Sequence, residues 1–205
     1  MRRWGRAAAL VGVSTAIGVW SSTEQGGALD HRVFHAINDE RHPVLDGFFR
    51  SITELGSIWA QVGAAAVLLK AGRRRAVQRA LVASAITWTA SQGMKKLWMR
   101  TRPYDHFEEG TARLLVAKLG GTSWPSSHPA VLFAFITAAE RELGLGRGTR
   151  LVLAALAGKV AASRIGVGVH FPSDVASGLL LGRAVGLVCS EEAAGTSPAL
   201  RTNGR

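Results

Sequence analysis

The sequence predicts an all-α fold, a polytopic membrane helix bundle of about six transmembrane helices, on three observations. Hydrophobic residues make up 47% of the 205 and gather into six apolar stretches. The net charge of +11 is carried by basic residues that punctuate those stretches. The basic clusters also alternate along the chain. Positive-inside bias then places the amino terminus, residues 73–75, residues 141–150 and the tail on one cytoplasmic face. The opposite, extracytoplasmic end is where the polar motifs described below collect, so the active site is expected there.

The elements follow in order. Residues 1–6 are basic and precede an apolar run over 7–20, which fits either a cleaved signal peptide or a first membrane helix that stays as a signal anchor. The later apolar stretches favour the retained helix. Residues 29–55 interleave Phe34, Ile37, Val44, Leu45, Phe48, Phe49 and Ile52 with charged residues. That pattern predicts an amphipathic segment on the membrane surface or capping the bundle, broken at Pro43, although a packed soluble helix pair has the same periodicity. Residues 56–69 form a second apolar stretch ending at Lys70 and Arg73 to Arg75, and 80–98 a third, with Lys95 and Lys96 at its far end. Residues 110–123 read as a connecting segment, a plain loop in preference to part of the substrate entrance. A fourth helix starts over 129–139, a Gly- and Arg-rich turn follows over 141–150, and 151–168 and 173–189 are the last two helices. The whole of 1–190 is expected to be one membrane-embedded domain, and the polar tail 191–205 to be disordered. Against the membrane reading stand a mean hydropathy of only +0.15 and apolar runs mostly shorter than the ~20 residues a simple span needs. Lys159 and Arg183 interrupt two of those runs, and would face the interior or snorkel.

Three polar clusters carry the chemistry. Residues 163–174 read SRIGVGVHFPSD, with His170 six after Arg164 and Asp174 four after His170. A histidine becomes a nucleophile toward phosphorus when a carboxylate fixes its tautomer and steadies the charge it acquires. Arg164 offers a fork of donors matched to phosphate oxygens. Pro172 marks a helix start, so His170 would lie at a helix N-terminus, where unpaired backbone N–H groups favour an anion. The second cluster is KKLWMRTRP over 95–103. Lys95 and Arg102, seven apart, are expected on one face of a helix that Pro103 ends. The third is WPSSHP over 124–129, where Ser126, Ser127 and His128 stand at the mouth of an apolar helix. Each alone fits a plain structural role, such as a cap, a solvated face or a packed histidine. Together, in this order, they are far less easily explained by chance.

In these motifs the chain resembles the type 2 phosphatidic acid phosphatase superfamily, which also contains bacterial nonspecific acid phosphatases and vanadium haloperoxidases. The family signatures are a lysine, six residues, then Arg-Pro; Pro-Ser-Gly-His; and Ser-Arg, five residues, His, three residues, Asp. Lys95 with Arg102-Pro103, Pro125-Ser126-Ser127-His128, and Ser163-Arg164 with His170 and Asp174 match them, over roughly residues 50–187. The departure is Ser127, where the family usually has glycine; a backbone position of positive φ would strain a serine. The resemblance implies that His170 attacks phosphorus to give a phosphohistidine, with Asp174 orienting its ring. His128 would protonate the leaving alcohol and then activate water. Lys95, Arg102, Arg164, Ser126 and the backbone around Ser127 would bind the phosphate oxygens, with no metal or cofactor. His31, His35, His42 and His106 show no metal-ligand spacing and read as surface or loop residues.

The expected function is a metal-independent integral-membrane hydrolase of a lipid phosphate or diphosphate, such as phosphatidic acid or a polyprenyl phosphate or diphosphate, in the cell membrane. Its partners would be that substrate and bilayer lipids. Nucleic acid is the weakest partner, because no zinc-finger spacing, aromatic-laced basic strand or recognition helix is present. The alternatives are a secreted soluble acid phosphatase using the same residues and, further off, a non-catalytic membrane scaffold. Cys189, the single cysteine, rules out an internal disulfide and does not report on compartment.

Overall fold

The computed structural model describes residues 2–39 and 42–190, and the regular structure among them is helical throughout. The helices are α1 (Arg2–Ser21), α2 (Glu24–Asn38), α3 (Pro43–Thr53), α4 (Ile58–Lys70), α5 (Arg74–Trp98), α6 (Pro103–His106), α7 (Ser127–Glu142), α8 (Arg147–Gly166) and α9 (Pro172–Cys189), with a 3₁₀ turn at Glu54–Gly56. The six apolar stretches overlap α1, α4, α5, α7, α8 and α9. No single helix among the described residues is long and apolar enough to cross a membrane. Pro43–Gly56 and Ile58–Lys70 meet that requirement together, as a pair bent by 59°. The expected amphipathic segment over 29–55 is divided between α2, α3 and the 3₁₀ turn, and α3 opens on Pro43, whose missing N–H costs nothing at a first helical position. The tail 191–205 lies outside the described residues.

Helices α7 and α9 form the centre, with α1 packed against α9, α5 against α7 and to a lesser extent α9, and α8 against both. Small residues permit the close approach of α7 and α9. Gly178, Gly182 and Gly186 recur every fourth residue, one turn apart on α9. A Cβ at Gly182 would sit 2.0 Å from the carbonyl oxygen of Ala130 on α7, and one at Gly178 2.4 Å from that of Ser126. The stripe therefore sets the spacing at which the two helix N-termini, Ser126 and Pro172, meet. Between α1 and α9, Ser14 and Ser177 exchange hydroxyl-to-carbonyl hydrogen bonds of 3.0 and 3.1 Å, so both buried hydroxyls are satisfied.

The carboxyl ends of α5 and α8 and the amino ends of α7 and α9 come together at one end of the bundle. The other end carries the basic turn Arg73 to Arg75 and the start of α8 at Arg147. The helix carrying Lys95 is shorter than its spacing with Arg102 suggests. It ends at Trp98, because Met99 adopts a left-handed cap (φ 48°) whose N–H returns to the Lys95 carbonyl. Arg102 is instead extended (φ −84°, ψ 158°), as a residue before proline tends to be, and precedes the short α6. Lys95 and Arg102 therefore do not share a helix face.

Candidate active site

His170 lies between α8 and α9, 2% exposed. On one side of its ring, Nε2 is 3.3 Å from Nη1 of Arg102. A guanidinium has only donors, so this contact is a hydrogen bond when Nε2 accepts, which places the ring proton on Nδ1. On the other side Nδ1 meets Ser123 Oγ at 3.4 Å and Asp174 Oδ2 at 3.4 Å. Asp174 is itself closely held. Its Oδ2 accepts the N–H of Phe171 at 2.8 Å, an N-terminal capping bond of α9, and the hydroxyl of Ser123. Its Oδ1 accepts Nη1 of Arg100 at 2.8 Å, and Arg100 Nη2 donates to Asp30 of α2 at 2.6 Å.

The two cations of the KKLWMRTRP cluster converge without a common helix, because the loop before α7 gathers both. Lys95 Nζ donates to the carbonyls of Thr122 and Ser123 at 2.7 and 3.2 Å. Arg102 donates to those of Gly121 and Val169, both at 3.0 Å, and reaches that of Gly120 at 3.4 Å. Arg164, in the last turn of α8 and 3% exposed, donates Nη1 to Thr53 Oγ1 at 2.7 Å, while its Nε is buried with no hydrogen-bond partner. The buried hydroxyl oxygens of Ser126 and Ser127 at the start of α7 are also without partners. His128 packs on the Glu54–Gly56 turn, with its Cβ and Cδ2 3.3 Å from where a Cβ of Gly56 would be. Burial is the main cause that holds His170 well below the usual histidine range, followed by the charges of Arg102, Lys95 and Arg164. The ring is therefore neutral at ordinary pH, with a bare Nε2 in cationic surroundings. A buried neutral nucleophile, three cations and unpaired hydroxyl and guanidinium donors at a helix N-terminus are a set suited to an oxyanion.

Residues 76–192 match the family model described as the PAP2 superfamily. The chain belongs to that superfamily. It is a phosphatase, as the superfamily assignment and its solved relatives support. The crystal structure of LpxE from Aquifex aeolicus is similar, with 29% identity, a TM-score of 0.69, and coverage of 78% of this chain and 94% of the other. The structure of a transmembrane PAP2 type phosphatidylglycerolphosphate phosphatase from Bacillus subtilis is similar in fold, with 19% identity, a TM-score of 0.75, and coverage of 90% and 94%. No curated protein sequence matches the chain.

At the PAP2 glycine position, Ser127 begins α7 and is free of strain, since Met99 is the one positive-φ residue other than glycine among the described residues. Ser123, Arg100, Asp30 and Thr53 belong to none of the three signatures and yet serve this end of the bundle. Ser123 lies three residues before Ser126 and Arg100 two before Arg102, so nearness to a motif was the available signal; Thr53 gives none, being 111 residues from Arg164. Of the expected surface histidines, His42 and His106 are exposed, and His31 and His35 are half-buried. The rings of His31 and His106 lie 4.7 Å apart, tilted by 50°, and pack against Phe107 and Phe171. No group of three or more His, Cys, Asp or Glu among the described residues is placed to hold a metal ion.

Proposed function

We propose that the protein is an integral-membrane lipid phosphatase whose reaction passes through a phosphohistidine at His170. The observation that carries this reading is the bare Nε2 of His170 facing Arg102 while Nδ1 is held on the Ser123 and Asp174 side. Nε2 attacks phosphorus and the bond to the leaving oxygen breaks, with His128 delivering to the departing alkoxide a proton that its ring takes up once the phosphate's negative charge sits among the three cations. His128 then removes a proton from water, which displaces phosphate from Nε2 and returns the ring to its starting state. Lys95, Arg102 and Arg164 stabilise the charge on the equatorial oxygens, and Ser126 and Ser127 donate to them. Asp174 balances the positive charge that the ring carries while phosphorylated.

The bilayer assignment rests on the surface of α4 as well as on the transmembrane relative. Trp59 is 77% exposed and Ile58 70%, and Val62, Val67 and Leu69 are exposed beside them on a helix whose one charged residue is Lys70 at its end. A continuous apolar face of this kind is costly in water and is matched by lipid. With the basic turn Arg73 to Arg75 on the cytoplasmic side, as positive-inside bias favours, the site faces the extracytoplasmic side, the phosphate head enters at the cationic end and the tail remains among lipids. A glycerophospholipid phosphate, the substrate class named for the Bacillus relative, and a polyprenyl phosphate or diphosphate both fit that geometry.

The test is phosphate release from a panel of these lipids by the purified, detergent-solubilised chain with chelator present. Release from at least one lipid that exceeds release from a water-soluble phosphate ester supports the reading. Equal release from both would identify a nonspecific phosphatase, and no release from a folded chain would refute the assignment.

A further inference from the structure

We propose that Ser123 is a positioning residue, whose hydroxyl links His170 to Asp174 and holds the nucleophile in the tautomer with Nε2 bare. This deepens the phosphohistidine reading and rests on it. Nδ1 approaches Asp174 Oδ2 and Ser123 Oγ at the same 3.4 Å, but only the contact with Ser123 has hydrogen-bond geometry, and Oδ2 already accepts Phe171 N–H at 2.8 Å. Ser123 Oγ also donates its proton to Oδ2. A hydroxyl that donates its proton can still accept, and what faces its lone pairs is Nδ1 at 3.4 Å. The resulting chain runs from Nδ1–H to Ser123 Oγ and from its O–H to the carboxylate. Each proton has one acceptor, and Nε2 is left without one. If the serine hydroxyl turned to donate to Nδ1, the ring proton would have to move to Nε2. There it would oppose a guanidinium N–H of Arg102, so Arg102 and Ser123 enforce the same tautomer from opposite sides of the ring.

The placement of this hydroxyl is fixed by the backbone that carries it. Ser123 N donates to the Arg100 carbonyl at 2.8 Å, and the Ser123 carbonyl accepts Lys95 Nζ at 3.2 Å. Three residues on, Ser126 N donates to the Asp174 carbonyl at 3.0 Å, which ties the same loop to the first turn of α9. The residue that holds Lys95 through its carbonyl thus holds His170 through its side chain. A phosphate-binding cation and the nucleophile share one support.

A residue that only fills space or caps a buried carboxylate would affect stability and leave the ring proton where it is. The experiment therefore reads the ring directly. The full chain, labelled with ¹⁵N-histidine and solubilised in detergent, is examined by NMR, and the His170 signals are identified by their loss in His170→Ala. The parent is expected to carry the proton on Nδ1, and Ser123→Ala to show a mixture of tautomers. With a lipid that the parent hydrolyses, Ser123→Ala is expected to lower kcat roughly 10- to 100-fold, the equivalent of one hydrogen bond to a charged network, at unchanged KM. Ser123→Thr, which keeps the hydroxyl, restores both the tautomer and the rate. If Ser123→Ala does not fold, Ser123→Cys, with its weak S–H donor, carries the same expectation. A parent with its proton on Nε2, or a folded Ser123→Ala with the parent's tautomer and kcat, overturns the proposal. Because the tautomer is read without turnover, a parent that hydrolyses no lipid would refute the lipid-phosphatase reading and still leave Ser123 decided.

Discussion

Replacing Asp174 with asparagine removes one charge and adds an N–H₂ group where all surroundings donate. Oδ1 accepts Arg100 Nη1 at 2.8 Å, and Oδ2 accepts Phe171 N–H at 2.8 Å together with Ser123 Oγ. The amide oxygen can face one set only. Facing Phe171 and Ser123, it turns its own N–H₂ toward the guanidinium of Arg100. Breaking a buried ion pair in this way costs about 3–5 kcal/mol, and Arg100 keeps Asp30 at 2.6 Å, which argues for the lower end. For a chain of this length about 3 kcal/mol lowers the melting temperature by roughly 6–12 °C. Facing Arg100 instead, the amide meets Phe171 N–H donor to donor and leaves the Ser123 hydroxyl to donate to Nδ1. The ring proton then moves to Nε2, and the loss in kcat approaches the ~10⁴-fold known for a wrong histidine tautomer. Thermal unfolding in detergent and phosphate release together read both outcomes. A folded Asp174→Asn variant with the parent's melting temperature and a kcat within about tenfold of the parent would refute the role given to this carboxylate.

Three further expectations follow from the geometry. Ser127→Gly removes a buried, unpaired hydroxyl from a position without backbone strain, so the fold should persist and KM for a lipid phosphate should rise roughly tenfold or less; an unchanged KM would exclude Ser127 Oγ as a phosphate ligand. The histidine at 170 binds its proton less readily folded than unfolded, so on acidification below about 6.5 the unfolded chain is protonated first and stability falls, by up to about 1.4 kcal/mol per pH unit. Melting temperatures measured from pH 7.5 down to 5.5 should therefore drop more steeply for the parent than for His170→Asn, and equal slopes would contradict the assignment. Gly182→Ala places a methyl group 2.0 Å from the Ala130 carbonyl oxygen and should destabilise by several kcal/mol through separation of α7 from α9; a melting temperature equal to the parent's would show that these helices are not held as described.

The helices and the end of the bundle at which the motifs meet were legible because apolar periodicity, prolines and basic clusters are local signals. Pro172 and Pro43 open helices where such residues should. The path from Lys95 to Arg102 was not legible, since a seven-residue spacing fits a continuous helix as well as a cap at Met99. Local spacing also cannot reveal which backbone carbonyls receive the two cations. Gly120, Gly121, Thr122 and Ser123 do so from a stretch that reads as a plain connection. For the same reason Asp30 and Arg100, 70 residues apart, give no sign in sequence that they form a pair leading to Asp174. The motif residues were visible and their supports were not, because supports are made by contacts between distant segments.

Trapping the covalent intermediate tests His170 as the nucleophile. The detergent-solubilised chain is mixed with a ³²P-labelled lipid phosphate in the presence of chelator and quenched within one turnover. The account predicts protein-bound label that is stable to alkali and labile to acid, maps to His170 and is absent in a folded His170→Ala variant. Lipid hydrolysis by the parent with no such label, or label that persists in His170→Ala, would contradict it.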